Sequence, residues 1–279
     1  MPDIKVTIAQ LKPSIANPDK NMNTIIDTIY NSVKKDDTDI VVFPELFLIG
    51  YYSKDLIYKL AEPVDGPHIT KIAEASREYG VYTIFGFAEH DEKYDVFYNS
   101  AAFVSDNGDI SVYRKIHIPD FSIFDEYRYF RKWDGGIELY GVKGFPIGII
   151  ICYDVFYPEL SRAYTLLGAK AIVAISASPD FSRPLFHDMI KARAIENTIY
   201  YIWVNMVGTF DGVGFAGGSR VAEPLGSILY DAPLIKENVK TVAIDTQVVR
   251  ASREKRPVLK DLSLTDLNLL NDSFHFLIR

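Results

Sequence analysis

Six consecutive apolar residues, Pro146-Ile147-Gly148-Ile149-Ile150-Ile151, lead into Cys152 and then the polar pair Tyr153-Asp154. A run of that length, rich in isoleucine, reads as a buried strand whose polar end lies at a rim. Strand C-terminal ends are where open α/β folds place their chemistry. Two other ionisable residues hold the same kind of position. Glu45 ends Ile40-Val41-Val42-Phe43-Pro44-Glu45, and Lys115 ends a weaker run through Ile110-Ser111-Val112-Tyr113-Arg114. A thiol, a carboxylate and an ammonium at strand lips are the parts of a cysteine hydrolase that uses no histidine.

Each residue taken singly has a plainer reading. An isolated cysteine at a strand end is more often a small buried hydrophobe than a nucleophile. Glu45 lies between Pro44 and the apolar Leu46-Phe47-Leu48-Ile49, so its carboxylate must be paired, hydrogen-bonded or protonated. Lys115 follows Arg114, and such basic pairs commonly face solvent.

The global composition fits an enzyme. A chain of 31.6 kDa with 48% hydrophobic residues can bury a large core. Lys and Arg total 30 against 37 Asp and Glu, a net charge of −7 with no basic block, which disfavours nucleic-acid binding. Cys152 is the single cysteine, so no intrachain disulfide is possible, and a reducing compartment suits it. The start, Met1-Pro2-Asp3-Ile4-Lys5, lacks a basic n-region and a long apolar h-region, and no apolar stretch approaches a bilayer span. The expectation is a cytoplasmic protein with no membrane partner.

Strand and helix signals alternate along the chain. Strands are expected at Lys5 to Gln10, Ile40 to Phe43, Val81 to Ala88, Phe145 to Ile151, Ala171 to Ser176 and Tyr200 to Met206. A hairpin turns at Asp106-Asn107-Gly108. Helices are expected at 17–34, 68–79, 158–167 and 187–197, with a long loop from Pro44 to about Glu62 and an irregular segment from Ile116 to Gly136. This pattern predicts an α/β fold of sheet layers with helices outside. One domain would cover residues 1–250, followed by a tail, 251–279. Leu262, Leu264, Leu267, Leu269, Leu270, Phe274 and Phe276 make the tail too apolar to leave in water, so it is expected to pack on its own domain or on another subunit.

A free thiol is mostly protonated at neutral pH, so Cys152 needs a base or a positive field, and a thiol so served would be labelled with a thiolate-like pH profile. Among five histidines, only His117 and His187 lie close to the candidate segments. His187 precedes an expected helix and is a candidate to line the pocket or to cap that helix. A Cys-His dyad therefore stands beside the alternative in which Glu45 is the base and Lys115 offsets the negative charge and donates to an oxyanion. No cluster of Cys, His and carboxylates has metal-ligand spacing, so neither a metal nor another cofactor is expected.

Phe43-Pro44-Glu45, Tyr113-Arg114-Lys115-Ile116-His117 and Ile151-Cys152-Tyr153-Asp154-Val155-Phe156-Tyr157-Pro158-Glu159 together resemble the three signatures of the nitrilase superfamily of carbon–nitrogen hydrolases, in the family's order. The resemblance spans nearly the whole chain and implies a four-layer α-β-β-α sandwich. It assigns Glu45 as general base, Lys115 as stabiliser of the tetrahedral intermediate and Cys152 as nucleophile, with Glu126 matching a second glutamate that holds the lysine. It also implies pairing into homodimers or larger homo-oligomers, with the tail reaching across the partner.

Gly50-Tyr51-Tyr52-Ser53-Lys54-Asp55-Leu56, Asn205-Met206-Val207-Gly208 and Phe215-Ala216-Gly217-Gly218-Ser219 are similar to the glutaminase domain of glutamine-dependent NAD synthetases. No synthetase segment follows, so a stand-alone amidase is expected ahead of a glutaminase that lends ammonia to a partner. True nitrilases carry a Trp-Glu pair after the cysteine; Tyr153-Asp154 stands here, which favours amides over nitriles. The expected activity is cleavage of a small carboxamide to acid and ammonia through a cysteine thioester. N-carbamoyl hydrolysis remains the alternative, and a non-catalytic scaffold is the competing class. Tyr51, Tyr52, Phe121, Phe124, Tyr127, Phe181 and Phe210 follow strands and are candidate pocket walls, with Tyr153 beside the cysteine. Arg183 and His187, just after Ser178-Pro179-Asp180, are candidates to read a polar tail of the substrate. Asn205, Arg193 and Glu196 are expected to form a supporting network.

Overall fold

The structure, a computed structural model, describes residues 3–277; Met1 and Pro2, Ile278 and Arg279, and the side chains of Phe276 and Leu277 lie outside the described residues. Among the described residues fourteen strands form in chain order. The first five are β1 (Ile4–Gln10), β2 (Ile40–Val42), β3 (Tyr82–Asp91), β4 (Val96–Val104) and β5 (Ile110–Arg114). The next four are β6 (Tyr140–Val142), β7 (Phe145–Ile151), β8 (Ala171–Ser176) and β9 (Tyr200–Asn205). The last are β10 (Val207–Phe210), β11 (Val213–Ala216), β12 (Arg220–Ala222), β13 (Ile228–Asp231) and β14 (Asn238–Ile244).

They build two six-stranded mixed sheets, ordered β14-β1-β2-β3-β4-β5 and β13-β12-β9-β8-β7-β6, plus the hairpin β10-β11. β1, β2 and β3 run parallel, as do β7, β8 and β9. Strands in such sheets are covered on both faces, which is why their sequences read as unbroken apolar runs. Period-two alternation then sorts the side chains. Ile40, Val42 and Ile84 join Ile4, Val6, Ile147, Val173 and Ile202 in the core that includes both sheets. Val41, Phe85 and Phe87 point the other way, against Ile25, Ile29, Ile69 and Ile72.

Those isoleucines belong to α1 (Pro18–Asp36) and α3 (Pro67–Tyr79), which cover the first sheet. The second sheet is covered by α4 (Pro158–Leu167) and α5 (Arg183–Asn197) through Leu160, Tyr164, Phe186, Ile190 and Ala194. The layers are therefore α-β-β-α, as expected. Truncating one central ring such as Phe85 to Ala would cost about 3–5 kcal/mol.

Several boundaries differ from expectation for local reasons. The segment after Glu45 is not a plain loop: a 3-10 stretch, Tyr51–Leu56, runs into the short helix α2 (Ile57–Leu60). Helix α5 begins at Arg183 rather than His187, with Pro184 in its first turn, where a missing N–H costs nothing. His187 therefore lies inside the helix and does not cap it. Residue 251 falls within α6 (Thr246–Lys255), whose Val249 and Ser252 are buried. The chain leaves that helix only at Arg256-Pro257. Beyond it come α7 (Val258–Asp261) and α8 (Leu264–Leu277), where Leu264, Leu269, Leu270 and Phe274 are exposed. Among the described residues no helix is long and apolar enough to cross a membrane.

Candidate active site

Cys152 follows β7 directly and opens a 3-10 turn, Cys152–Phe156, at the strand's C-terminal end. Its φ is +48°, a left-handed conformation that side chains with a Cβ seldom adopt. Such strain costs on the order of 1–3 kcal/mol and persists only where surrounding contacts over-determine it. Asp154 supplies most of them. Its Oδ2 accepts from the Ile151 backbone N–H at 3.1 Å and from the Tyr113 hydroxyl at 2.8 Å. Its Oδ1 accepts from the His117 backbone N–H at 2.9 Å and contacts His117 Nδ1 at 2.8 Å. From α5, Arg193 donates to the carbonyls of Val155 and Phe156 at 3.2 and 3.1 Å, gripping the far end of the turn.

Glu45 is placed by a close approach of two backbones. After β2, Pro44 accepts from Gly86 N–H at 3.1 Å and Leu48 N–H donates to the Gly86 carbonyl at 3.0 Å. A Cβ on Gly86 would sit 2.2 Å from Leu46 N and 2.7 Å from Glu45 Cα, so only glycine fits. The fully buried Glu45 carboxylate accepts from three donors and keeps an acceptor position on Oε2. Oε1 accepts from Lys115 Nζ at 2.7 Å and Asn99 Nδ2 at 2.7 Å, and Oε2 from the Ala177 backbone N–H at 2.7 Å.

Lys115 continues β5, its N–H bonded to the Asn99 carbonyl at 2.9 Å. Alternation sends Arg114 to the opposite face, into an ion pair with Glu89 and against the rings of Tyr98 and Trp133. Lys115 goes inward, 1% exposed, so the solvent-facing reading holds for neither basic residue. Its Nζ reaches both oxygens of Glu126 at 2.8 and 2.9 Å. Glu126 also accepts from Tyr51 Oη at 2.7 Å and from Asn99 Nδ2 at 3.2 Å.

The charges of this cluster hold one another in place. Burial alone would lower the Lys115 pKa, but the Glu126 and Glu45 charges outweigh it and the value rises, so the ammonium is charged. Burial raises Glu126 against the pull of Lys115, and raises Tyr51 well above its usual value, leaving the phenol a neutral donor. The Cys152 thiol is also pushed well above its ordinary range, first by burial and next by the Glu45 charge, with Lys115 opposing. Burial thus favours the protonated thiol, and the pH profile of thiol labelling is the measurement that decides between thiol and thiolate. The thiol feels the Glu45 charge more strongly than that of any other side chain.

The two candidate histidines are committed elsewhere. His117 Nδ1 is on Asp154 and its ring stacks on Tyr157 at 3.3 Å. His187 Nε2 bonds the Gly218 carbonyl at 2.8 Å, its ring edge-on to Trp203, and burial lowers its pKa. Of the candidate bases, Glu45 is the one whose charge acts on the thiol.

A cavity of about 140 Å³ opens in front of Cys152. Of the candidate pocket residues, Phe121, Phe124 and Tyr153 line it, together with Phe156, Ser178 and Leu185. The other seven candidates, Tyr51, Tyr52, Tyr127, Phe181, Phe210, Arg183 and His187, do not line it. Tyr51 and His187 are outside the lining, the first turned to Glu126 and the second to Gly218; Arg183 is also outside it, its aliphatic stem against Gly218. Phe210 packs on Phe215 instead. Asn205 forms the expected support, accepting from Ser178 N–H at 2.8 Å and donating to the Ser178 and Gly217 carbonyls at 3.0 Å each. Among the described residues no group of three or more His, Cys, Asp or Glu is arranged to hold a metal ion.

Asn99 and Asp154 were missed as site residues. Asn99 and Ser100 are polar residues just before the apolar Ala101–Val104 run of the same strand, both fully buried, and that pairing was the available signal. Asp154 was read only as a departure from a motif.

The family model described as carbon–nitrogen hydrolase matches residues 5–254. A nitrilase of Pyrococcus abyssi is 33% identical over 90% of this chain and 93% of its own length. An (R)-stereoselective amidase of a Pseudomonas species is 32% identical over 94% and 92%. A glutamine-dependent NAD(+) synthetase of Thermotoga maritima is 35% identical over 88% of this chain but only 42% of its own length. The crystal structure of a carbon–nitrogen hydrolase from Helicobacter pylori superposes with a TM-score of 0.88 at 25% identity, over 96% of this chain and 98% of that one.

Proposed function

The chain belongs to the carbon–nitrogen hydrolase family of the nitrilase superfamily, and from that premise we propose that it is an amidase that cleaves a small primary carboxamide to the carboxylic acid and ammonia. The observation that carries this reading is the contact of one buried ammonium, Lys115, with both Glu45 and Glu126, whose charges act on the Cys152 thiol.

Cys152 is the nucleophile and Glu45 the general base. As sulfur bonds the carbonyl carbon, the thiol proton passes to Glu45 and the carbonyl π pair moves onto oxygen. Lys115 Nζ stabilises that oxyanion: the two Glu126 contacts can share one N–H, leaving a third proton free for substrate. The Tyr153 N–H, at the start of a 3-10 turn, is the second donor. Collapse breaks the C–N bond, and the leaving nitrogen takes the proton from Glu45. Water then gives a proton to Glu45 as its oxygen bonds the thioester carbon. The C–S bond breaks, sulfur regains the proton from Glu45, and the acid departs. Glu126, with Tyr51, keeps Lys115 in place and charged throughout.

Amides are favoured over nitriles because Asp154, in the position two residues after the nucleophile, has both oxygens occupied by the framework. The relative named as an amidase points the same way. The exposed leucines of α8 favour a homodimer or larger homo-oligomer, and the free thiol favours a reducing, cytoplasmic setting. The test compares kcat/KM for aliphatic amides, glutamine, N-carbamoyl amino acids and matching nitriles by ammonia release. A nitrile preferred more than about tenfold, about 1.4 kcal/mol at the transition state, overturns the amidase reading.

A further inference from the structure

The two sides of Cys152 have opposite character. Glu45, Lys115 and Glu126 act on its thiol, and none of them lines the adjoining cavity. In front, the cavity of about 140 Å³ is walled by the rings of Phe121, Phe124, Tyr153, Phe156 and Phe186, with Leu185 at its mouth. These rings interlock: Tyr153 lies 5.3 Å from Phe121 and 5.7 Å from Phe156, and Phe156 lies 5.0 Å from Phe186. No residue lining the cavity carries a charge; its polar groups come down to the hydroxyls of Ser178, Ser182 and Tyr153 and the thiol itself.

We propose that the acyl half of the substrate is uncharged and apolar, an aryl or branched aliphatic group, and that glutamine, dicarboxylic half-amides and N-carbamoyl amino acids are excluded. This rests on the amidase reading above. The physical cause is desolvation: a carboxylate or ammonium entering this wall gives up water and meets no countercharge. An apolar chain gains contact with five rings instead. One polar handle is available. Ser178 is pinned through its backbone N–H and carbonyl by Asn205, while its buried Oγ has no hydrogen-bond partner. That hydroxyl is fixed to receive a single uncharged polar atom on the acyl chain.

The experiment compares 4-methylpentanamide with succinamate, whose carboxylate replaces the isopropyl group at nearly constant shape. The two are read by ammonia release and, independently, by protection of Cys152 from iodoacetamide. Expected is at least a 100-fold preference in kcat/KM for 4-methylpentanamide, with protection by that amide alone. In Leu185→Arg, at the exposed mouth, the ratio should shift at least tenfold toward succinamate. Succinamate turned over or protecting within about threefold of 4-methylpentanamide overturns the proposal while leaving the amidase reading standing. Selective protection without ammonia from any amide upholds the apolar pocket and removes the amidase reading.

Discussion

The Lys115 ammonium donates to Glu45 Oε1 at 2.7 Å with both side chains wholly buried. Neither charge tolerates the loss of the other, because an unpaired buried ion costs several kcal/mol. Lys115→Ala should therefore destabilise the fold by about 3–5 kcal/mol in urea unfolding, besides abolishing turnover. Adding Glu126→Gln to that variant removes one stranded carboxylate and should restore part of the stability but none of the activity. Since the Lys115 pKa is raised in the folded state, its contribution is complete below its unfolded value of about 10.4 and is lost only as pH rises through the folded value.

Asn99 holds the two carboxylates at a fixed separation, with Nδ2 2.7 Å from Glu45 and 3.2 Å from Glu126. Asn99→Asp would bring a third carboxylate to the pair. We expect kcat to fall at least 100-fold, with much less effect from Asn99→Gln. Equal loss in both variants would mean that shape rather than charge is at issue.

Gly86→Ala should displace the Glu45 segment, because the added carbon meets backbone at 2.2 Å. Gly141→Ala, on an edge strand with nothing within 4 Å, is the control and should leave kcat unchanged. If Gly86→Ala retains more than half of wild-type kcat, the close approach does not position Glu45.

Burial disfavours the charged form of a side chain, and for a thiol that is the deprotonated form, so the Cys152 pKa moves up. Alkylation by iodoacetamide should accordingly be slower than for an unfolded-peptide cysteine across roughly pH 7–9, with no plateau near the ordinary thiol value of about 8.5. A half-point below pH 8 would mean a resting thiolate and remove the need for Glu45 as base.

How far the sequence carries is visible residue by residue. Cys152 and Lys115 were legible because each directly follows a strand, and Cys152 interrupts an apolar run. Glu45 was legible from its apolar flanks, although β2 ends at Val42 and the turn at Leu46, φ +48°, places it. The layer order followed from strand periodicity. The start of α5 was misplaced because Pro184 was not read as a helix N-terminal signal, and that error made His187 a pocket candidate. Asn99 and Asp154 act through contacts distant in sequence, which local pattern does not encode. The pocket wall could not be sorted by residue type, since 18 tyrosines and 17 phenylalanines give too many equivalent candidates.

The central claim is that Cys152 attacks the amide carbon. It is tested most directly by ammonia release from 4-methylpentanamide by Cys152→Ala, set against wild type, with circular dichroism showing an unchanged fold. The account predicts a loss of kcat of about 10⁴-fold or more, as for other enzymes deprived of their nucleophile. A folded Cys152→Ala protein that keeps kcat within tenfold of wild type would contradict it.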